Sequence, residues 1–529
     1  MGADTNSSAY SDHAHAGTIV IDRGDHGSSV VLDEASNRGV ATVLDGKELD
    51  AKEGRRFAPG ERVAITSENV LDTVLKRLED PALADMIDAL KNKNRCRDLM
   101  NAQYPDFFHR LVALSDLPTL KLPPDRKFVV KPNRGYFATA IKIINSDSDL
   151  AQIRKEIEAD VKRNSAVFAS TVLSDADVIV EDFIEGEEYA VDMFFDRSGK
   201  PVIVNIYHHP IPENPDYLHA LYYTSKPIFD DYHDLFIGWF EKLNETLNAR
   251  GFPVHGEFRV TRDGVMPIEL NPLRFGGDGL IDLAFHAFGF NPYQAFVRDE
   301  APDWNAIWKG REEKIYTWMM GYVGTDIDVQ SHRPDRGAFE SLFSNILSDA
   351  LLNYEAHLGF SVVYSEETDI ETVHRLVNTD FKEFFLGAEA FSEQALSELY
   401  RSGVLLHLKP GERIWEEGDV GDYALLVIEG SVEVLHPAAE TEVLLDTIGP
   451  QMVVGEYAVM DGRPRSASAR VGPDGCTAMR ITGEAFRKLL RDAPGLFEEL
   501  YWQQQMRIRK MNRRIADLEA ALAAAGQST

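Results

Sequence analysis

Between His255 and Gly277 the chain reads HGEFRVTRDGVMPIELNPLRFGG, and two carboxylates and an amide lie in it at spacings that suit a cation. Residues alternate up to Thr261, an Arg-Asp-Gly turn follows, and an extended run ends at Asn271-Pro272, a pattern that predicts a β-hairpin. A three-residue loop of Arg262, Asp263 and Gly264, with glycine in the left-handed position, pairs Thr261 with Val265. It then sets Arg259 against Pro267 and Glu257 against Glu269. Asn271, two residues on, shares that face. Like charges directly opposite destabilise a hairpin unless something cationic lies between them. Two carboxylates plus an amide oxygen suit a hard ion such as magnesium, which keeps waters and phosphate oxygens as its other ligands. A two-residue loop shifts the register and takes Glu257 off Glu269, and the same residues also describe an acidic, solvated hairpin.

A metal of this kind needs a phosphate to serve, and two upstream stretches are candidates for supplying it. In Lys127–Ile144, KFVVKPNRGYFATAIKII, two strands flank a loop, and Lys131 stands at the end of the apolar run beside backbone N–H groups that can face phosphates. The loop holds one glycine, Gly135, so cradling is a weak signal by itself. In Val178–Asp192, VIVEDFIEGEEYAVD, an apolar strand meets a turn at Glu185-Gly186 and a second strand. Such a crossover offers an apolar slot with backbone donors and acceptors that can read an adenine edge, and Glu188 just beyond it can accept from ribose hydroxyls. A surface hairpin with acidic decoration fits the same residues. Ahead of both, Val63–Ser67 reads as a strand with Ser67 capping a helix through Val70, Val74 and Leu78. The helical stretch Leu83–Leu99 carries Lys91, Lys93, Arg95 and Arg97, a solvated basic face or a phosphate contact.

At 529 residues, two or three domains are expected. A hydrophobic content of 44% marks a globular chain, and 86 acidic against 55 basic residues argue against a binder of nucleic-acid backbone. No run approaches a membrane span, and MGADTNSSAYSDHAHAG lacks the basic and apolar regions of a secretory signal. Cys96 and Cys476 lie far apart and read as reduced thiols in a cytoplasm. Residues 1–60, rich in Gly, Ser, Asp and Asn, predict a poorly packed lead.

In their order, VVKP, VEDFIEGEEY, GEF and IELNP resemble the ATP-grasp superfamily, over residues 61–385. The resemblance implies that Lys131 and, more loosely, Lys93 hold ATP phosphates, and that Glu181, Phe183 and Ile184 form the adenine-reading strand. It places the ribose at Glu188 and magnesium at Glu257, Glu269 and Asn271. The family joins a carboxylate to an amine or thiol through an acyl phosphate and releases ADP, chemistry in which the protein positions groups and neutralises charge. Arg274 is a candidate for gripping the substrate carboxylate or acyl phosphate, or else a structural ion pair. Many amine-ligating relatives read Asn-Pro-Arg where this chain has Asn271-Pro272-Leu273-Arg274, which bears on substrate identity. His208-His209 and Tyr217–Tyr223 are packing residues or the lining of an acceptor pocket.

Beyond residue 385 glycines become dense and short alternating strands predict a β-roll. KPGERIWEEGDVGDYALLVIEGSVEV and VVGEYAVMDGRPRSASARV resemble cyclic-nucleotide-binding domains, over residues 386–505. The resemblance implies that the helix after Gly455 faces a cyclic phosphate neutralised by Arg465. It implies further that Glu456 takes the ribose 2′-hydroxyl and that Ser466 and Ala467 add contacts. It favours cAMP over cGMP only slightly. The stretch Leu496–Ala525, whose part from 506 to 529 is set apart as the C-terminal helix, is strongly helical and carries Tyr501, Gln504, Ile508, Met511, Ile515, Leu518 and Leu522 at heptad spacing, a seam for a homodimer or a helix folded back on the β-roll. The expected fold class is α+β multidomain: an ATP-grasp fold, then a β-roll (jelly-roll-like) cyclic-nucleotide-binding domain with a long C-terminal helix. The expected function is an ATP- and magnesium-dependent carboxylate–amine (or thiol) ligase that acts through an acyl phosphate and is regulated by cyclic nucleotide. A small-molecule kinase and a non-catalytic ATP and cyclic-nucleotide sensor are the alternatives.

Overall fold

The apolar run GTIVI at Gly17–Ile21 (β1) buries four of its five residues. In the computed structural model, β1 is the middle strand of a three-stranded parallel sheet, between β2 (Ala41–Asp45) and β3 (Val63–Ile65). Ile19 and Ala64 share a core with Phe194, Phe275 and Phe296. The expectation of a poorly packed lead over 1–60 is therefore corrected for its described part. β-branched residues that lack a helical period pair as strands once a core is there to bury them. The structure describes residues 17–22, 32, 40–51, 55–133, 141–164, 177–214, 217, 219–261, 264–323, 327–329, 332–352, 354, 359–387, 391–438 and 441–526. The phosphate-loop residues after Asn133, Gly135 among them, and the turn residues Arg262 and Asp263 lie outside these.

The chain divides into two units: Met1–Gly321 with Phe343–Leu352 and Ser361–Thr379, and Tyr322–Leu342 with Asn353–Phe360 and Asp380–Thr529. The first unit holds a four-stranded antiparallel sheet of β4 (His109–Ala113), β5 (Phe128–Pro132), β6 (Lys142–Ile144) and β7 (Asp177–Asp182), in the order β4-β7-β5-β6. The large antiparallel sheet is built from β8 (Glu187–Phe195), β9 (Pro201–His209), β10 (His219–Ser225), β11 (Phe252–Thr261), β12 (Gly264–Pro272) and β13 (Ile315–Tyr322). Its order is β12-β11-β8-β9-β10-β13, followed by Gly359–Glu367 and Asn345–Leu351. β7 and β8 thus belong to different sheets, and Phe183–Gly186 is a crossover, not a surface hairpin. The helix Lys226–Leu247 begins with a proline in its first turn and ends at Asn248 in the left-handed region. Its apolar stripe covers the back of the large sheet, with the rings of Phe236, Trp239 and Phe240 at 4.9, 4.8 and 5.7 Å from that of Phe258.

The hairpin closes differently from the prediction. Thr261 stands opposite Gly264, so the loop has two residues, and Val260 faces Val265 and Arg259 faces Met266. A bulge then intervenes: Phe258 faces Pro267 and Glu257 faces Glu269, with Ile268 as the extra residue of β12. The expected pair of carboxylates is kept, but by a bulge, and the pairing of Arg259 with Pro267 is corrected. Pro267 is the physical cause, because a proline cannot donate to the ladder and is accommodated on edge strands and at bulges. β12 is an edge strand.

The second unit holds a β-roll around the long strands Tyr423–Ala438 and Ser468–Thr482, which pair along most of their length. One side of its core joins Trp415, Val427, Ile448 and Val471, and the other packs helical Leu399, Phe486, Leu496 and Leu500. The C-terminal helix runs Pro494–Gly526, close to the stretch Leu496–Ala525 expected to be helical and continuous across the division at 506. The segment Tyr322–Leu342, expected within the first domain, groups with this unit, and its strand His332–Pro334 pairs with Phe385–Gly387.

Candidate functional site

The bulge aims backbone carbonyls as well as carboxylates. Pro267 O accepts Arg97 Nη1 at 2.6 Å, and Ile268 O accepts Arg97 Nη2 at 3.3 Å and Lys131 Nζ at 3.4 Å. Arg97 and Lys131 also flank Glu181, at 2.8 Å each. Glu181 is 2% exposed. Burial alone raises its carboxyl, but the Arg97 and Lys131 charges bring it down to about 2. The Glu181 side chain is therefore engaged with the cation expected to hold phosphates, while Phe183 and Ile184, half-buried, continue into the crossover. The Phe183 N–H donates to Lys127 O at 3.0 Å.

On β12 and β11, Glu257 faces Glu269 and His255 faces Asn271. Lys93 Nζ lies 3.3 Å from Glu269 and Lys91 Nζ 3.8 Å, and Lys91 also donates to Asn271 Oδ1 at 3.4 Å. Two carboxylates and one amide oxygen form a hard donor set, and the ammonium groups beside them show that the pocket favours positive charge; these residues fit magnesium. Among the described residues no group of three or more His, Cys, Asp or Glu gathers to hold a metal. Burial lowers the Lys93 ammonium, against the pull of Glu269 and with the help of Lys131 and Lys91.

Arg274 arrives through strained backbone. Leu273 has φ +61°, a left-handed conformation unusual for a leucine, and its carbonyl accepts the Ile65 N–H at 2.8 Å. Arg274 is 9% exposed. Its Nε donates to Glu68 Oε2 at 3.2 Å and its Nη1 to Phe275 O at 3.0 Å. Glu68 also pairs with Lys91. Burial opposes its ionisation, yet Lys91 and Arg274 hold the Glu68 carboxyl down at about 2. Glu68 is a member of the site for which the sequence predicts no role, and Lys91, expected on a basic face or at a phosphate, instead meets Glu68, Glu269 and Asn271. The only signals in the sequence were their places after the Ser67 cap and on the basic helix.

Asp192, wholly buried, accepts the Gly276 N–H at 2.7 Å and the Tyr207 hydroxyl at 2.9 Å, and lies 2.8 Å from His255 Nδ1. Burial would lower the His255 imidazolium, but Asp192 raises it to about 9. His255 Nε2 stands 3.7 Å from Glu257. Burial raises the Glu257 carboxyl, and the neighbouring His255 reverses that and leaves it lowered. Glu188 accepts His209 Nδ1 at 2.8 Å and Arg259 Nη2 at 2.8 Å. His208 instead lies on the opposite face, stacked on Tyr189 at 4.7 Å.

In the second unit Gly455, φ +84°, caps the helix Glu456–Asp461. A β-carbon there would lie 2.5 Å from Arg465 Nη1 and 2.9 Å from the Trp415 ring, so glycine is required twice over. Arg465 is 3% exposed, stacks 4.0 Å over Trp415, and donates to Gly455 O and Tyr423 O at 2.7 Å each. Its Nε has no acceptor among the described residues. Glu456 Oε1 accepts Gln504 Nε2 at 2.5 Å and Arg507 Nη1 at 3.0 Å. Ser466 is exposed and Ala467 half-buried beside the cassette.

Residues 125–282 match the family model described as ATP-grasp domain, and residues 405–493 that described as cyclic nucleotide-binding domain. The chain carries an ATP-grasp domain and, after it, a cyclic nucleotide-binding domain. The CRP-like cAMP-activated global transcriptional regulator of Mycobacterium tuberculosis is 31% identical over 109 residues, 20% of this chain and 48% of the relative. The cAMP-dependent protein kinase regulatory subunit of Yarrowia lipolytica is 28% identical over 141 residues, 27% of this chain and 36% of the relative. The chain thus spans half or less of the length of these two relatives. The L-amino acid ligase from Bacillus licheniformis covers 70% of this chain and 98% of its own at 15% identity, with a TM-score of 0.49.

Proposed function

We propose that the ATP-grasp domain is an ADP-forming ligase that joins a carboxylate to an amine, and that the second domain sets its activity through a cyclic nucleotide. One observation carries the reading: Glu257, Glu269 and Asn271 share one face of the hairpin, with Lys93 and Lys131 at its edge and Arg274 just past its end. Magnesium held by the three oxygen ligands would draw charge off the phosphates. Lys131 and Lys93 neutralise the phosphates, Ile184 and its neighbours read adenine, and Glu188 takes the ribose. Arg274 holds the substrate carboxylate, whose oxygen attacks the γ-phosphorus as the bond to ADP breaks. The amine nitrogen then attacks the acyl carbon, the C–O bond to phosphate breaks, inorganic phosphate leaves with the electron pair, and the amine proton passes to it.

For the regulatory half, Arg465, whose Nε has no acceptor among the described residues, receives a cyclic nucleotide together with Gly455, Glu456, Ser466 and Ala467, cAMP or cGMP with cAMP slightly favoured. On the C-terminal helix, Tyr501, Ile508, Met511 and Ile515 are 53, 41, 56 and 48% exposed. They support pairing of two chains, while Leu496 and Leu500, 3 and 2% exposed, fold the start of the same helix back on the β-roll. Among the described residues no helix is long and apolar enough to cross a membrane. Cys96 and Cys476, free and buried, fit a reducing compartment such as the cytoplasm.

Incubation of the full chain with magnesium, ATP and pooled amino acids, with and without cAMP, tests both halves. ADP, phosphate and a new amide are expected, in amounts that change with cAMP. AMP as product, or a stable phosphorylated compound without amide, overturns the ligase reading. A cAMP response that survives Arg465→Ala overturns the regulatory one.

A further inference from the structure

The large sheet continues past the metal-binding residues as a floor of rings. Glu188 pairs with His209, and the pairing of His208 with Tyr223 sets Tyr222 opposite His209; Tyr222 in turn pairs with Trp318. Glu188, His209, Tyr222 and Trp318 therefore form one row across β8, β9, β10 and β13, on the face that carries Glu257. His209 and Tyr222 stack at 4.2 Å with 16° between their planes, and Tyr222 lies 5.9 Å from Trp318. His209 and Tyr222 are partly exposed, so their ring faces are not wholly covered by the protein.

Two relations tie this row to the amine side of the reaction. The proposed phosphate-handling cations Lys93, Arg97 and Lys131 meet the sheet at β12, so the row over β8, β9, β10 and β13 lies on the face of Glu257 but away from them. The loop that follows Arg274 also comes down beside the row: Gly279 O accepts the Tyr364 hydroxyl at 2.8 Å, and Leu280 O the Tyr207 hydroxyl at 3.4 Å. A third observation points to an occupant. Trp318 is 4% exposed, and its indole N–H has no acceptor among the described residues. A buried donor left unmatched is costly, and a ligand oxygen would satisfy it.

We infer that His209, Tyr222 and Trp318 form the amine-substrate subsite of this ligase, built for an aromatic amino acid whose ring stacks on His209 and Tyr222 and whose carboxylate takes the Trp318 N–H. The assignment rests on the ligase reading and adds to it the class of the amine. Rings supply apolar area and stacking direction, and the single buried donor supplies orientation.

The test uses the full chain with magnesium and ATP, the pooled amino acids as carboxylate donors, and three amines: L-phenylalanine, L-alanine and phenethylamine, which lacks the carboxylate. Wild type is expected to prefer phenylalanine to alanine by about tenfold or more in kcat/KM, a margin within what an apolar pocket supplies. Tyr222→Ala should bring that ratio near unity and leave the KM for ATP within about twofold. Trp318→Phe should weaken phenylalanine toward the level of phenethylamine. No preference in wild type, or a KM for ATP that rises with Tyr222→Ala, overturns the subsite, the second outcome by giving the ring to the nucleotide. Calorimetric titration of the same amines separates the two readings. Phenylalanine binding that Tyr222→Ala abolishes, without amide formation, upholds the subsite and fails the ligase, whereas absence of binding fails the subsite.

Discussion

Arg507 donates from Nη1 to Oε1 of Glu456 at 3.0 Å, tying the C-terminal helix to the carboxylate expected to take a ribose hydroxyl. Gln504 reaches the same oxygen, and Arg507 Nη2 also holds Val453 O at 2.7 Å. Among the described residues both donors to Glu456 land on Oε1, which leaves Oε2 for a ligand. Arg507→Met keeps the side-chain length but leaves a carboxylate that is 2% exposed without its charge partner. Affinity for cAMP is expected to fall by about tenfold, the worth of one charged hydrogen bond. Calorimetric titration checks this, and unchanged affinity means that the helix does not orient Glu456.

Glu257→Gln and Glu269→Gln each remove one negative charge from the proposed magnesium site without changing its shape. Each should reduce turnover by about 100-fold, with partial recovery at high magnesium. A variant that keeps full activity at the wild-type magnesium requirement would remove that residue from the metal's ligands.

Glu68→Gln takes away the partner that holds Arg274 Nε at 3.2 Å. With its guanidinium no longer aimed, the KM for the carboxylate substrate should rise by about tenfold while the KM for ATP holds. An equal rise in both would mean that Glu68 supports the fold of the site as a whole and not Arg274 in particular.

Acid should loosen the first unit through Glu181. Its carboxyl is held at about 2 against an ordinary value near 4.5, because Arg97 and Lys131 outweigh its burial. A carboxylate with a depressed folded value adds stability above the unfolded value and loses it as pH falls through the folded one. Stability assigned to this group is thus complete above about pH 4.5 and declines toward pH 2. Glu181→Gln should destabilise at neutral pH by about 3–5 kcal/mol, since two buried cations lose their counter-charge, and should flatten the acid dependence. Urea unfolding between pH 2 and 7 measures both effects; an unaltered acid slope would exclude Glu181 as its source.

Much of the site was legible because local chemistry is written in order along the chain. The apolar run ending at Lys131, the crossover after Glu181 and the cassette from Gly455 to Arg465 all lie where the sequence predicts, and the cap at Ser67 is observed, with its side chain accepting the Asn69 N–H. The hairpin shows the boundary of such reading. The facing of Glu257 and Glu269 was expected, but from a loop one residue too long. Pro267 is the sequence signal for the bulge.

Sequence alone determined the two domain classes and the proposed ligand oxygens, because motif order, turn glycines and strand alternation act over a few residues. Tertiary structure alone decided which charges meet. Glu68, Lys91 and Arg274 lie up to 206 residues apart, and no periodicity reports their contact. The same holds for Asp192 with His255, for the burial of β1, and for the row from Glu188 to Trp318. At His255–Gly277 the two levels join: residue types specify which cation the hairpin suits, and the fold, through a bulge at Ile268 and a left-handed Leu273, specifies what stands around it.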